Sequence, residues 1–192
     1  MSMPRYLTFS GSRREGSFNT AVVNIVSGEL SKLTTHVTEL SLNDFELPLY
    51  EQTIENHHGL PDKAADLRDL FKHHDGLVIG CPEYNGFLPP LLLNTLTWIS
   101  RSPAGQPDLS LFQGKCVLVI SCSPGSLGGI RAAAHLKSFL SGVGSVIFPD
   151  MVIVANAFSA FKEDGNLADE NLYRKLITTT RQFHQLTSSI NA

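Results

Sequence analysis

The sequence has no long run of one charge, no cysteine framework and no membrane-length apolar stretch, and each absence removes a class of function. A formal charge of −3, with no basic patch carrying interleaved aromatics, gives nucleic acid or an anionic membrane nothing to hold. Cys81, Cys116 and Cys122 are an odd set without C-x-x-C spacing, which argues against both a disulfide framework and a zinc site and points to a reducing cytoplasm. No apolar run approaches the roughly 20 residues of a membrane helix, and the first strand is expected within a few residues of Met1, leaving no room for a signal peptide. His57-His58 and His73-His74 are adjacent pairs whose side chains diverge, so both read as solvated surface and no metal is expected.

Two phosphate-binding signatures are missing too. Gly11 and Gly16 have the glycine spacing of a P-loop, but Ser17 stands where that motif needs lysine and Phe18 where it needs serine or threonine. Neither a triphosphate nor its magnesium ion is provided for. A G-x-G-x-x-G turn is also absent, which counts against a dinucleotide site of the usual kind.

What is present is a polar stretch, Ser10 to Asn19, between a β-prone run at Tyr6 to Phe9 and a helix whose Val22, Val23, Val26 and Leu30 recur at helical spacing. At such a strand-to-helix turn, backbone N–H groups and the positive end of the helix dipole face an anion. Ser12, Ser17, Asn19 and a guanidinium from Arg13 or Arg14 add donors suited to a phosphate.

The remaining chain alternates strands and helices. An edge strand is predicted at His36 to Leu40, a loop at Asn43 to Tyr50 and surface at Glu51 to Gly59. A helix follows from near Pro61, a central strand at Gly76 to Cys81, and a helix from Pro89 or Pro90 towards Arg101. A buried strand at Lys115 to Ser121, a helix carrying Ala133, Leu136, Leu140 and Val143, a last strand at Ser145 to Phe148 and a closing helix from Asp169 complete the set. The 192 residues are read as one α/β domain spanning 1–192, with a parallel sheet covered on both faces. Ligands in such sheets bind beyond the carboxyl ends of the strands, where Ser10 to Asn19, Pro82 to Gly86 and Ser121 to Gly129 form three polar loops. One anion site beside two neutral loops suits flavin mononucleotide (FMN), with Tyr84 packing on a ring and Gly125, Gly128 and Gly129 allowing close main-chain approach.

Gly-Ser-x-Arg-x-Gly-Ser-Phe-Asn at 11–19, Pro-Glu-Tyr-Asn at 82–85 followed by Leu92, Asn94, Trp98 and Arg101, and Ser-Pro-Gly-x-x-Gly-Gly at 123–129 resemble the NAD(P)H-dependent FMN reductase family. That family includes bacterial soluble quinone and chromate reductases. The resemblance runs from residue 5 to about 185 and implies a flavodoxin-like, doubly wound five-stranded parallel sheet of order 2-1-3-4-5. It implies non-covalent FMN, NADPH or NADH as reductant, and a homodimer or homotetramer. It also implies a ping-pong transfer of electrons to quinones, metal ions, azo compounds or free flavin. By the same resemblance Ser12, Arg14, Ser17, Phe18 and Asn19 hold the FMN phosphate. Pro82, Glu83, Tyr84 and Asn85 meet the ribityl chain and ring, and Ser123, Gly125, Gly128 and Gly129 line the ring. The flavin carries the chemistry, so no catalytic side chain is assigned, although Glu83 is a candidate general acid. Arg13, Phe87 and Pro89-Pro90-Leu91 depart from the common pattern, the last two where a second substrate enters.

Two other readings compete. An electron carrier or FMN-binding regulator would share the cofactor site without nicotinamide turnover. A serine hydrolase would use Ser121-Cys122-Ser123-Pro124-Gly125 as a nucleophile elbow, but Ser121 replaces its first glycine and Pro124 fixes a backbone that the elbow needs strained. Cys81 and Cys122 read as small buried side chains rather than nucleophiles.

Overall fold

A computed structural model describes residues 3–191. Three strands form the middle of the sheet: β1 (Tyr6–Ser10), β3 (Gly76–Gly80) and β4 (Cys116–Cys122), all of whose residues are buried. They are short apolar runs without an exposed face, as expected of parallel strands covered on both sides. Successive side chains point to opposite faces, so each strand feeds two cores. Leu7, Phe9, Leu77, Ile79, Val117 and Val119 pack with Leu67 and Phe71 of α3 (Asp62–Lys72), Leu92, Leu96 and Ile99 of α4 (Pro90–Ile99), and Leu136 and Leu140 of α5 (Ile130–Gly142). Tyr6, Val78, Leu118 and Ile120 pack on the other side with Val22, Val23, Val26 and Leu30 of α1 (Phe18–Leu30) and Leu176 and Phe183 of α6 (Glu170–Ile190).

The edge strand β2 (Val37–Leu40) pairs with β1, giving the parallel order β2-β1-β3-β4-β5. This is the flavodoxin-like, doubly wound arrangement that the family resemblance implies. The far edge differs in one respect. β5 (Val146–Ile147) pairs with the start of β4 and β6 (Val152–Val154) with its end, both parallel. The strand expected at Ser145 to Phe148 is thus shortened to Val146–Ile147, and β6 is a sixth strand where five were expected; Pro149, which has no N–H to give a ladder, stands between the two.

Two residues depart from the expected surface. Glu51 to Gly59 is mostly exposed, as expected, and forms a helix, α2 (Gln52–His58), but its Glu55 is buried. His74 is also buried, with its ring nitrogens against Leu70 O at 2.6 Å and Thr38 Oγ1 at 2.8 Å. Desolvation holds its pKa below the usual histidine value. Both misreadings share a cause: a polar side chain that finds partners inside the fold leaves no mark on hydrophobic periodicity. Trp98 is core, and its indole N–H donates to Pro48 O at 2.8 Å. Among the described residues, no helix is long and apolar enough to cross a membrane.

Candidate functional site

The loop after β1 delivers its chain to the N-terminus of α1. Ser17 is the N-cap in extended conformation, its hydroxyl accepting from the Thr20 N–H at 3.4 Å. Ala21 N–H returns to Ser17 O, which leaves the N–H groups of Phe18 and Asn19 without a partner among the described residues. Such a helix end attracts an anion through both its open donors and its dipole.

The two arginines of the loop have different jobs. Arg13 Nε donates to Leu42 O at 2.8 Å and Arg13 NH2 to Phe45 O at 2.5 Å, tying the loop to the turn after β2. Arg14 is exposed, lies 5.1 Å above the Phe18 ring, and its guanidinium has no hydrogen-bond or ion-pair partner among the described residues. Phe18 itself stacks on Phe161 at 6.0 Å and meets Phe158 edge-on at 5.5 Å. The aromatic cluster therefore props an uncommitted cation over the helix end.

At Asn19 the donor left open at the helix end is the backbone N–H, not the side-chain amide. Its side chain is buried and makes a two-way bridge across the fold: Nδ2 donates to Cys122 O at 2.8 Å, and Cys122 N–H donates to Oδ1 at 3.0 Å. The amide joins the first turn of α1 to the end of β4, and so fixes the Ser12–Ser17 loop against the Ser123 loop. With both bridge bonds lost, Asn19→Ala should cost about 2 kcal/mol, read as a fall of several degrees in Tm for a chain of this size.

Glu83 also belongs to the scaffold. Its carboxylate is nearly buried and receives the Arg131 guanidinium, with Arg131 Nε at 2.9 Å, and the backbone N–H groups of Arg131 and Ala132 at 3.2 and 3.3 Å. It thus caps α5 from a neighbouring loop. The hydrogen bonds from Arg131 outweigh burial and hold the carboxyl below the usual carboxylate range. An ionised carboxylate has no proton to give at neutral pH, so the general-acid reading fails.

A cleft of about 210 Å³ brings together Ser12, Arg14, Ser17, Phe18, Asn19, Pro82, Glu83, Tyr84 and Ser123, and adds Cys122, Pro124 and Phe158. Asn85, Gly125, Gly128 and Gly129 lie outside its wall. Asn85 supplies a left-handed turn at φ 52° between Tyr84 and Phe87. Gly125 is open to solvent, but Gly128 and Gly129 are buried with φ 59° and 85°. A side chain at Gly128 would meet Ile153, and one at Gly129 would meet Ser121 Oγ. These two glycines are required by the protein's own sheet. Phe158 is 84% exposed at the cleft's edge; its sequence signal was a pair of phenylalanines in the short segment before the last helix.

The hydrolase reading finds no support. The cleft holding Ser123 is lined by no histidine among the described residues, and Ser121 is buried with its hydroxyl donating to Cys81 O at 2.7 Å. Burial pushes Cys81 and Cys122 up to about 12, which leaves them inert as nucleophiles.

Residues downstream of the Pro82 loop grip a neighbouring segment. Asn94 Nδ2 donates to Pro48 O at 2.9 Å and Asn94 Oδ1 accepts from Tyr50 N–H at 2.8 Å. Arg101 Nε reaches Glu55 Oε1 at 2.8 Å, and the Tyr50 hydroxyl donates to Glu55 Oε2 at 3.0 Å. With Trp98, these side chains fasten residues 48–55 onto α4.

Fold and cleft together define a flavodoxin-like protein whose cleft is walled by an open helix end, the Arg14 guanidinium and an exposed tyrosine. The chain belongs to the NADPH-dependent FMN reductase family, whose model matches residues 4–159. It is an oxidoreductase that works with FMN and NAD(P)H. An NAD(P)H-dependent FMN reductase of Pseudomonas aeruginosa is 31% identical over 190 residues, covering 95% of this chain and 94% of that protein. A quinone reductase of Escherichia coli K12 is 35% identical over 136 residues, covering 70% of this chain and 68% of its own. FerB, a flavoenzyme NAD(P)H:(acceptor) oxidoreductase from Paracoccus denitrificans, superposes with a TM-score of 0.80 at 26% identity, over 97% of this chain and 98% of that one.

Proposed function

We propose that this reductase passes electrons from NAD(P)H to quinones, with its FMN held in the cleft between the Ser12–Asn19, Pro82–Tyr84 and Ser123–Pro124 segments. The observation that carries this reading is the uncommitted Arg14 guanidinium, which shares one cleft with the Ser12 and Ser17 hydroxyls and the open end of α1. That donor set suits a phosphate dianion, and the exposed Tyr84 at the other end suits a flat ring. FMN supplies the hydride acceptor and electron donor when bound. The chain binds and orients it: Arg14 and the first turn of α1 neutralise the phosphate, while Asn19 and Glu83 hold the three loops in register.

The quinone assignment rests on the name of the Escherichia coli relative. A homodimer or homotetramer is supported by the exposed apolar side chains Tyr84, Phe87, Leu127 and Ile130, which a second copy would cover. A reducing cytoplasm suits three free, buried cysteines.

The test is the visible spectrum of the FMN-loaded protein under anaerobic NADPH or NADH. Flavin bands that bleach within seconds and return on adding a quinone, together with parallel double-reciprocal plots, are the expected result. Flavin that stays bound and oxidised would leave a carrier or regulator in place of the enzyme.

A further inference from the structure

Beside the flavin cleft lies a second one, of about 600 Å³, bounded by α1, the ends of β1 and β2, and the Ser12–Ser17 loop, whose Ser12, Arg14 and Ser17 it shares with the flavin cleft. Its remaining wall, from Ser10, Asn24 and Glu39 to Asn43, has no part in the reductase reading. We propose that this cleft binds a ribonucleoside through the vicinal hydroxyls of its ribose.

Two independent features support the assignment. Ser10 is 6% exposed, lines this cleft, and its hydroxyl has no hydrogen-bond partner. It sits on the face of β1 shared with Thr8, the face turned towards α1, by the alternation of strand side chains. A buried hydroxyl without a partner is unfavourable until something supplies one.

The second feature is Glu39, the residue of β2 opposite Thr8 in the parallel register. Its Oε1 accepts from Ser27 Oγ at 2.6 Å, and Ser27 is itself fully buried. The carboxylate is therefore oriented, and its Oε2 has no partner among the described residues. A carboxylate at the carboxyl end of the strand beside β1, roughly 20 residues after the glycine loop, is the arrangement by which doubly wound folds grip a ribose diol. Its two oxygens accept from adjacent hydroxyls while Ser10 donates or accepts deeper in. Asn24 adds an exposed amide to the wall, and Ala21 and Leu40 offer apolar surface to a base. Because the loop lacks G-x-G-x-x-G, no pyrophosphate cradle faces this side. The recognised unit is the nucleoside, and a 2′-phosphate in place of the hydroxyl would meet Glu39 as a like charge.

The ligand is either a free ribonucleotide or the adenosine end of the reductant, and one set of measurements separates them. FMN-saturated protein, with its phosphate loop already filled, is titrated calorimetrically with adenosine 5′-monophosphate (AMP). Saturable binding is expected, weakened at least about tenfold for 2′,3′-dideoxyadenosine monophosphate and for adenosine 2′-monophosphate, since a site built for hydroxyls rejects analogues lacking them. Glu39→Gln should weaken AMP by about the same factor. Ser10→Ala should weaken it several-fold without lowering Tm, because its hydroxyl has no partner to lose in the free protein. If Glu39→Gln also raises KM for NADH at unchanged kcat, the site takes the adenosine end of the reductant. If KM for NADH stays constant while AMP binding falls, a free nucleotide is the ligand. Absence of saturable AMP binding at millimolar concentration, or binding indifferent to the 2′,3′-hydroxyls and to both substitutions, overturns the proposal. The AMP titration requires no hydride transfer, so a failure of the reductase reading would show separately in the bleaching experiment.

Discussion

Arg14→Ala is expected to weaken FMN binding by about ten- to a hundredfold while leaving Tm of the flavin-free protein within about 1 °C of wild type. Among the described residues the guanidinium makes no hydrogen bond or ion pair, and it lies over the Phe18 ring at 5.1 Å. Removing it from the flavin-free protein therefore breaks no polar contact among them. In the loaded protein it removes the one side-chain cation among the described residues lining the cleft, and a charge-assisted hydrogen bond to a phosphate contributes about 1.5–3 kcal/mol. Arg13→Ala gives the opposite pair of results. Its hydrogen bonds to Leu42 O and Phe45 O hold the turn after β2, so stability should fall while FMN affinity changes little. Measuring the dissociation constant by flavin fluorescence and Tm on both variants decides the matter: equal FMN affinity in Arg14→Ala and wild type would remove the phosphate from this loop.

Glu55→Ala should give the largest loss of stability. The Glu55 side chain is fully buried against Arg101, itself 13% exposed, and also accepts from the Tyr50 hydroxyl. Deleting the acid leaves a nearly buried cation unpaired, which costs about 3–5 kcal/mol, or roughly 6–20 °C in Tm for a chain of this length. The hydrogen bond from Arg101, stronger than the opposing effect of burial, holds the Glu55 carboxyl below its ordinary value. A depressed carboxyl stabilises the fold above the unfolded value, near pH 4.3, and that stabilisation disappears as pH falls through the folded value. Wild type should therefore lose stability in acid more steeply than Glu55→Gln. Denaturant melts at pH 7 and pH 4 measure both effects, and coincident pH slopes would exclude Glu55 as a contributor. A Glu55→Leu, Arg101→Met double variant should recover much of the loss, because apolar side chains of similar volume replace a buried pair at little cost.

The parallel core and the placing of the three loops were legible because both follow from rules of period and position. Apolar runs such as Leu77-Val78-Ile79 admit few readings, and loops at the carboxyl ends of neighbouring strands must converge. The roles of individual polar residues were not legible, since they depend on partners distant in the chain. The Asn19 side-chain amide looks like a free donor until it is seen bonded to Cys122, and Glu83 looks like an acid until Arg131 is seen beside it. Arg13 and Arg14 are neighbours with the same chemistry, and only the turn at Leu42 to Phe45 separates their functions. Glu55 shows the limit most clearly. A charged residue in a polar segment reads as surface, and the arginine that draws it inward lies on another helix.

The broken margin at the far edge of the sheet bears on strand addition. An unbroken edge exposes a regular row of amides and carbonyls on which another chain's strand can zip, and that is how many sheet proteins begin to aggregate. Here the row is cut after Ile147, Pro149 withholds a donor, and pairing resumes only at Val152. At the opposite edge β2 is four residues long and carries the charge of Glu39. Neither margin offers an incoming strand more than a few consecutive bonds, which is how natural sheets discourage growth at their edges.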